Sequence, residues 1–294
     1  MHLKHDENSG GLALETQSVM SDGLPIMAKA LSSVLPIDQL APTTSLSQPT
    51  YVTAQLLVQQ IAYLLSDKIF SYSPETFDLD VAAREWSSQK EKNIHGFQPT
   101  IVPLQTRTGA GAFALGYIFS KDFDLSKKHI PQSVLAPSSS LRNLRAALDQ
   151  LSLLYSLASP FVAHVAAADY SSQEGLVTEY GTALQLSEDL GLGLVSSSTA
   201  YDTQHMALFS TLMAKILPTL HVYDGVRTSR ESLRVVDLLD NASIKQVYNR
   251  LSKRASRKHD HQGQVADLLR AFNDELGTEY EPFEYFGHEE AQTK

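Results

Sequence analysis

The chain has 294 residues, a formal net charge of −9 and no cysteine. An acidic chain attracts phosphate poorly, so this charge argues against a general nucleic-acid binder. The lack of cysteine excludes disulfides, cysteine nucleophiles, thiolate zinc sites and protein-held iron–sulfur clusters within this chain. No apolar run has the roughly 20 residues that a membrane helix needs, and the N-terminus carries no apolar leader. These features predict a cytoplasmic globular protein with no membrane or nucleic-acid partner.

The hydrophobic pattern divides the chain into a weakly ordered stretch (1–50), an α/β domain (51–240) and a helical extension and connector (241–294). In chain order, the predicted elements are helix 54–66, strand 68–72, helix 77–89, strand 100–104, helix 108–119, strand 133–136, helix 141–157, strand 161–167, helix 178–189, strand 192–196, helix 199–217, strand 219–223 and helices 244–251 and 264–276. Alternating strands and crossover helices are typical of a mainly parallel sheet with helices on both faces. The predicted fold class is therefore α/β.

A glycine-rich stretch, Gly109-Ala-Gly111-Ala-Phe-Ala114, matches the GxGxxA pattern of dinucleotide sites. That fingerprint follows the first strand of its sheet, and an acidic residue comes about 20 positions later at a strand end. Here a β/α unit precedes the glycines, while Asp122 and Asp124 come too early. We therefore interpret the small residues as a helix packed closely against another backbone.

Two other patterns suggest chemistry only weakly. Residues 250–261 (RLSKRASRKHDH) form a dense charge run that could meet an acidic partner or, through its two histidines, a metal. Adjacent loop residues are a weak ligand set, so a solvated connector is the preferred interpretation. Asp202 and His205 lie near the serines at 196–198, but no GxSxG nucleophile motif is present. The sequence predicts no catalytic residue and no metal ligand in this chain.

The most distinctive segment is HVYDGVRTSRE, residues 221–231, in which an apolar strand ends at Asp224 and Gly225. The carboxyl ends of strands are where α/β sheets place ligands. Asp224 and Arg227 can pair, and a hydroxyl can cap the chain that follows. The candidate strand-end site consists of Asp224, Gly225, Arg227, Thr228, Ser229 and Glu231.

This segment resembles the HxxDGxRTSxE signature that closes the first domain of pyruvate:ferredoxin oxidoreductases. Further family motifs occur in the same order: Ile69-Phe-Ser-Tyr-Ser-Pro74, Lys92-Asn-Ile-His-Gly96, Gln105-Thr-Arg-Thr-Gly-Ala-Gly111 and Ser196-Ser-Ser198. The resemblance extends from residue 51 to the C-terminus, and residues 280–290 are similar to the connector into the family's second domain. It implies that the α/β domain has the fold of a thiamine-diphosphate-binding pyrimidine domain.

Three positions of the implied thiamine pocket depart from the family's pattern. Arg107 replaces the glutamate that activates the aminopyrimidine ring, and a guanidinium that never deprotonates cannot relay a proton. The arginine that holds the 2-oxoacid falls at Ala168, and the loop threonine becomes Ser73. The pyrophosphate half, with its GDG metal motif, is absent from the sequence. The resemblance therefore implies a degenerate pocket.

An arginine before a Ser/Thr-Gly-Ala-Gly stretch, as in Arg107-Thr-Gly-Ala-Gly111, resembles one subfamily: the flavoprotein (alpha) subunit of fungal NADPH-dependent assimilatory sulfite reductase. This resemblance implies a non-catalytic assembly domain that holds no cofactor and serves the reduction of sulfite to sulfide. The implied partners are the domains that bind FMN, FAD and NADPH, the haem-bearing beta subunit and other copies of the chain. The chain is expected to be a fragment or a stand-alone paralogue of that subunit.

Two alternatives stay open. One is a component of a thiamine-dependent 2-oxoacid:ferredoxin oxidoreductase, which Ser73 and residues 224–231 favour and Arg107 disfavours. The other is an anion-binding module, in which Arg107 and Arg227 offer guanidinium groups to a sulfite-like anion. Pairing of both arginines with Asp224, Glu231 or another carboxylate would remove that second possibility.

Overall fold

The structure is a computed structural model, and it describes residues 50–72, 77–104, 116–117, 124–154, 159–227, 233–235, 238–255 and 261–282. All of these residues belong to one compact unit. The stretch predicted to be weakly ordered, residues 1–50, lies outside the described residues except for Thr50. The glycine-rich stretch 109–114 also lies outside them, so its predicted helix is described only at Gly116 and Tyr117.

A six-stranded sheet forms the centre of the fold, and every neighbouring pair in it is parallel. Its strands are β2 (Lys68–Ser71), β3 (Thr100–Pro103), β4 (Gln132–Pro137), β5 (Phe161–Ala167), β8 (Gly193–Ser197) and β9 (Thr219–Asp224). They lie in the order β3-β2-β4-β5-β9-β8. All six predicted strands are present within one or two residues of their expected limits.

Two small antiparallel pairs, which the sequence pattern did not predict, accompany the sheet. β1 (Thr50–Val52) pairs with β10 (Leu233–Val235), and β6 (Asp169–Ser171) pairs with β7 (Gly175–Val177). Each strand has three residues, which is too short for a clear alternation of apolar and polar side chains.

The described helices are α1 (Ala54–Leu65), α2 (Val81–Ser88), α3 (Ser138–Leu154), α4 (Gly181–Leu190), α5 (Ala200–Met213), α6 (Asn241–Leu251) and α7 (His261–Leu276). Side chains at three N-termini accept backbone N–H bonds: Thr53 caps α1, Thr199 caps α5 and Asp240 caps α6. Helix α2 begins four residues later than predicted, because the preceding turn holds Asp78 at a positive φ of 47°.

Helices cover both faces of the sheet, which confirms the predicted architecture. α3 and α4 pack on one face, while α1 and α5 pack on the other, and α6 and α7 pack on the outer side of α5. Every residue of β4 and β5 is buried, as expected for strands covered on both sides. Within the described part of the chain, no helix is long and apolar enough to cross a bilayer.

Helix α5 lies between the sheet and the two C-terminal helices, so all of its residues except Tyr201 and Asp202 are buried. Amides join this layer to the loop before α6. Gln204 donates from Nε2 to the Gln60 side-chain oxygen (2.8 Å) and to the Leu239 carbonyl (3.1 Å), and it accepts from the Leu239 N–H (2.9 Å). Gln60 in turn donates to Asn241 Oδ1 (3.0 Å). The start of α6 is thus hydrogen-bonded to the core of the α/β layer.

Candidate functional site

The candidate site is the carboxyl edge of the sheet, where all six parallel strands end. β2 lies between β3 and β4 in the sheet. The chain passes from β2 to β3 on one side and then crosses to β4 on the other side, so the direction of strand addition reverses between β2 and β4. In open α/β sheets, the crevice at such a reversal is the usual ligand site. Ser73 follows β2, Arg107 follows β3, and Ala168 directly follows β5. Ser73 and Arg107 lie outside the described residues, whereas Ala168 is described.

Asp224, the last residue of β9, organises a tight turn. Its Oδ1 accepts the backbone N–H groups of Val226 (2.8 Å) and Arg227 (2.9 Å). This pattern is an Asx turn, in which the side chain replaces a backbone acceptor. Arg227 is exposed next to this turn, and its backbone is held by the carboxylate that the sequence suggested as its partner. Thr228, Ser229 and Glu231 lie outside the described residues.

Gly225 lies against the backbone of the neighbouring strand, β5. Its N–H points at the Ala167 carbonyl (3.4 Å), and a Cβ at this position would lie 2.8 Å from the Ala166 carbonyl carbon and 2.9 Å from the Ala167 nitrogen. Contacts that short are not tolerated, so any side chain would force the turn away from β5. The glycine is needed here for close approach.

Ala168 is completely buried beside this turn. Its carbonyl accepts the Ser139 N–H (3.3 Å), which joins the end of β5 to the first turn of α3. Where the resemblance implies a cation for a 2-oxoacid, this chain therefore has a buried methyl group.

Glu179 is a carboxylate at this edge that the sequence analysis missed. Its N–H points at the Ala167 carbonyl (3.4 Å), and its own carbonyl accepts the Ser138 hydroxyl (2.6 Å). Oε1 accepts the Thr182 N–H (2.8 Å) at the start of α4, while Oε2 is buried and meets no hydrogen-bond donor among the described residues. The sequence carries no signal for Glu179, because its position beside Ala167 comes from the fold.

Tyr180 is beside this carboxylate and is 37% exposed. Partial burial raises the pKa of its hydroxyl, and the nearby charge of Asp224 raises it further. Glu179, Tyr180 and Asp224 thus give the carboxyl edge an acidic and aromatic character around a buried alanine. Among the residues that can be described, no group of three or more His, Asp or Glu side chains is arranged to hold a metal ion.

A second polar cluster is buried on the face of the sheet under α5. His164 on β5 and His221 on β9 are opposite each other in the strand register, and their Nδ1 atoms are 3.1 Å apart. His221 Nε2 lies 3.1 Å from Ser197 Oγ, which lies 3.1 Å from Thr203 Oγ1. The sequence could not indicate this cluster, because His164 and His221 are 57 residues apart and each stands in an apolar strand.

The chain of hydrogen bonds fixes where the protons are. Thr203 donates to the Thr199 carbonyl (2.6 Å), so Thr203 must accept from Ser197, and Ser197 must accept from His221 Nε2–H. His221 Nδ1 is then an acceptor, and His164 donates to it from Nδ1. His164 Nε2 is left as a buried lone pair without a partner. Because Ser197 donates away from the imidazole, the cluster is not arranged as a nucleophile and its base.

Burial keeps both imidazoles neutral. It lowers the pKa of His164 to about 3, and it lowers the pKa of His221 well below its usual value, with a further contribution from His164. His205, which the sequence places near the serines at 196–198, contacts the C-terminal segment: its Nδ1 lies 2.9 Å from the Tyr280 hydroxyl. Burial lowers the pKa of His205 to about 4.

The fold and this edge define an α/β protein with a parallel sheet and a polar turn at its carboxyl edge. No family model matches the chain. Over 238 residues it is 31% identical to a probable sulfite reductase [NADPH] flavoprotein component of Schizosaccharomyces pombe, an alignment that covers 80% of this chain and 22% of the relative. Over 255 residues it is 28% identical to the sulfite reductase [NADPH] flavoprotein component of Saccharomyces cerevisiae, with coverages of 84% and 23%.

The similarity extends to bacterial proteins. The chain is 24% identical over 276 residues to a probable pyruvate-flavodoxin oxidoreductase of Escherichia coli, covering 80% of this chain and 22% of that protein. Its homologues are thus fungal sulfite reductase flavoprotein components and pyruvate-flavodoxin oxidoreductases, which confirms the resemblance drawn from the motifs. The chain spans between a fifth and a quarter of the length of these curated relatives.

Among solved structures, a thiamine diphosphate-dependent 4-hydroxybenzoylformate decarboxylase of Rhodococcus jostii RHA1 aligns with a TM-score of 0.40 and 16% identity. That alignment covers 69% of this chain and 37% of the decarboxylase.

Proposed function

We propose that the chain is a non-catalytic assembly domain of the flavoprotein subunit of an NADPH-dependent sulfite reductase. The observation that carries this proposal is the 31% identity with the Schizosaccharomyces pombe flavoprotein component across 80% of the chain. The domain's task is to pack against the rest of the flavoprotein, against the haem-bearing subunit or against another copy of itself.

The chemistry of the carboxyl edge supports the loss of thiamine catalysis. Arg107 stands at the position where the resemblance implies a proton-relaying glutamate, and an arginine keeps its proton at all working pH values. Ala168 offers a buried methyl where the resemblance implies a cation for the substrate. At these two positions the sequence has neither of the groups that the reaction needs.

In this proposal the redox cofactors belong to other parts of the assembly. FMN, FAD and NADPH are bound by flavoprotein segments outside the aligned fifth, and the haem-bearing subunit reduces sulfite to sulfide in the cytoplasm. This domain contributes binding surface and no electron carrier.

A component of a thiamine-dependent oxidoreductase is the second candidate. Two observations favour it: the 24% identity with the Escherichia coli pyruvate-flavodoxin oxidoreductase, and the buried, unbonded Oε2 of Glu179 at the same edge. A carboxylate in this position offers a reversible proton carrier that Arg107 does not offer.

Calorimetry tests the assembly proposal. Thiamine diphosphate with Mg²⁺ is titrated into the purified chain, and into Arg107→Glu as the matched variant that returns the family's residue. The assembly proposal expects no binding by the parent chain, and a micromolar dissociation constant would contradict it.

Light scattering after size exclusion then tests assembly itself. The chain is measured alone, then mixed with the haem-bearing subunit, and then mixed with the flavin-binding part of the flavoprotein. A complex with either of them, or a stable homo-oligomer, is the expected result. A chain that stays monomeric in all three cases would rule out the assembly role.

A further inference from the structure

Lysines and aromatic rings gather at the amino edge of the central sheet, the opposite end from the candidate site. Three lysines stand at or just before the starts of strands: Lys68 begins β2, Lys127 precedes β4 and Lys215 precedes β9. Because these strands are parallel, their starts share one edge of the sheet. The fold therefore brings together cations that are far apart in the sequence, and all three are partly exposed.

Each of these lysines lies over an aromatic ring. The distances from Nζ to the ring centroid are 4.1 Å for Lys68 over Tyr117, 4.4 Å for Lys127 over Phe97 and 5.7 Å for Lys215 over Tyr248. We call these six side chains the cationic patch. A ring contact holds a flexible ammonium group in place without removing its charge.

One buried carboxylate lies within the cationic patch. Asp67 is 3% exposed, its Oδ1 lies 3.1 Å from Lys127 Nζ, and its Oδ2 accepts the Tyr117 hydroxyl (2.9 Å). It offsets one positive charge. The carboxylate of Asp124 also acts on Tyr117, while the exposed Lys128 adds a cation, so positive charge stays in excess.

His95 connects the two halves of the cationic patch. Its ring stacks on Phe97 at 6.0 Å between centroids, and it lies edge-on to Tyr248 at 6.1 Å. Burial lowers the pKa of His95, and neighbouring cationic groups, Lys215 among them, lower it further. The patch is therefore a continuous set of rings whose lasting positive charge is carried by its lysines.

We propose that the cationic patch is a docking surface for an acidic segment of a partner protein. Carboxylates of that segment pair with the ammonium groups of Lys68 and Lys215, and its apolar side chains lie on the half-buried rings of Phe97 and Tyr117. The chain as a whole has 33 acidic and 24 basic residues, so a long polyanion would also meet acidic surface. A short acidic protein segment fits the patch better than a nucleic acid does.

This inference names the chemistry of one partner surface and therefore rests on the proposed function. The two can fail separately. A complex in the light-scattering experiment that survives reversal of the patch charges would leave the assembly role standing and overturn the patch as its docking surface.

Fluorescence anisotropy of the full chain tests the docking. The probe is a fluorescein-labelled peptide in which glutamate alternates with leucine and alanine, and its control has glutamine in place of glutamate. We expect the acidic peptide alone to bind. Its dissociation constant should rise at least tenfold when NaCl is raised from about 0.05 M to about 0.5 M, because salt screens exposed charges.

Three double variants assign that binding to the patch. Lys68→Glu, Lys215→Glu should weaken it about tenfold or more, and Lys68→Gln, Lys215→Gln should weaken it about threefold. Lys68→Arg, Lys215→Arg keeps the charges and should change it less than about twofold. Circular dichroism checks the fold of each variant, and the glutamine pair decides the result if the reversed pair does not fold.

A matched control lies at the opposite edge of the sheet. Arg142 is exposed near the start of α3, so Arg142→Glu makes the same change of charge there and should alter the dissociation constant less than about twofold. No binding by the parent chain, equal binding of the glutamine peptide, or equal losses in Arg142→Glu and the lysine variants would overturn the proposal. Tighter binding of a single-stranded DNA of the same length would assign the patch to nucleic acid and overturn it as well.

Discussion

The two faces of the central sheet are built in different ways. The face under α3 and α4 is an apolar layer: strand residues such as Val134, Val165 and Val222 pack against Leu144 and Leu148. The face under α5 buries the His164–His221–Ser197 cluster instead. The stability of the first face depends on how well its side chains fill the available volume, so other apolar side chains of the same total volume are tolerated. The stability of the second face depends on each hydrogen-bond donor meeting one particular acceptor.

The largest effect is expected from a cavity in the apolar face. Leu148 is 2% exposed, so Leu148→Ala should lower the free energy of unfolding by about 2–5 kcal/mol. Urea unfolding followed by circular dichroism measures this change. Leu153 on the same helix is 72% exposed, and Leu153→Ala should cost less than about 0.5 kcal/mol. Equal costs at the two positions would show that α3 does not bury the face assigned to it.

This apolar face is the part of the fold that the sequence predicts well. A run such as Phe161–Ala167 is apolar except for His164 and follows Pro160, so its strand is recognisable without any knowledge of its neighbours. Strand order is not encoded in the same local way. β9 enters between β5 and β8, and the resulting contact between His164 and His221 depends on a register that no local pattern specifies.

The same distinction applies to the candidate site. Asp224 and Gly225 could be predicted because a strand visibly ends there, and strand ends collect at one edge of a parallel sheet. Glu179 could not, since it stands in a loop whose position beside Ala167 comes from the fold. Arg107, on which the proposed loss of catalysis depends, is identified by motif and lies outside the described residues.

The polar face should respond unequally to loss of its two imidazoles. His221→Leu leaves the His164 N–H donor and the Ser197 oxygen without partners, whereas His164→Leu leaves only the His221 Nδ1 acceptor. A buried unsatisfied donor costs about 1–3 kcal/mol, so His221→Leu should be the more destabilising by about 1–2 kcal/mol at pH 8.

Urea unfolding of both variants measures this difference. Nitrogen chemical shifts of the parent chain provide an independent check, since the hydrogen-bond chain puts the proton of His164 on Nδ1. Equal destabilisation, together with a proton on His164 Nε2, would contradict the assigned direction of the hydrogen bonds.

The smallest effect is the share of the pH dependence of stability that His164 contributes. Burial holds the pKa of folded His164 near 3, below the 6.5 of an unfolded imidazole, so the unfolded chain binds more protons. Stability is therefore full above pH 6.5 and declines as the pH falls toward the folded pKa. Since one pKa unit corresponds to about 1.4 kcal/mol, His164 alone should lower the free energy of unfolding by about 1 kcal/mol between pH 7.5 and 5.5.

Urea unfolding measured at both pH values should show a smaller loss of stability in His164→Leu than in the parent chain. Leu148→Ala should lower stability equally at both pH values. A pH dependence that survives His164→Leu unchanged would mean that this imidazole is not held neutral by the fold.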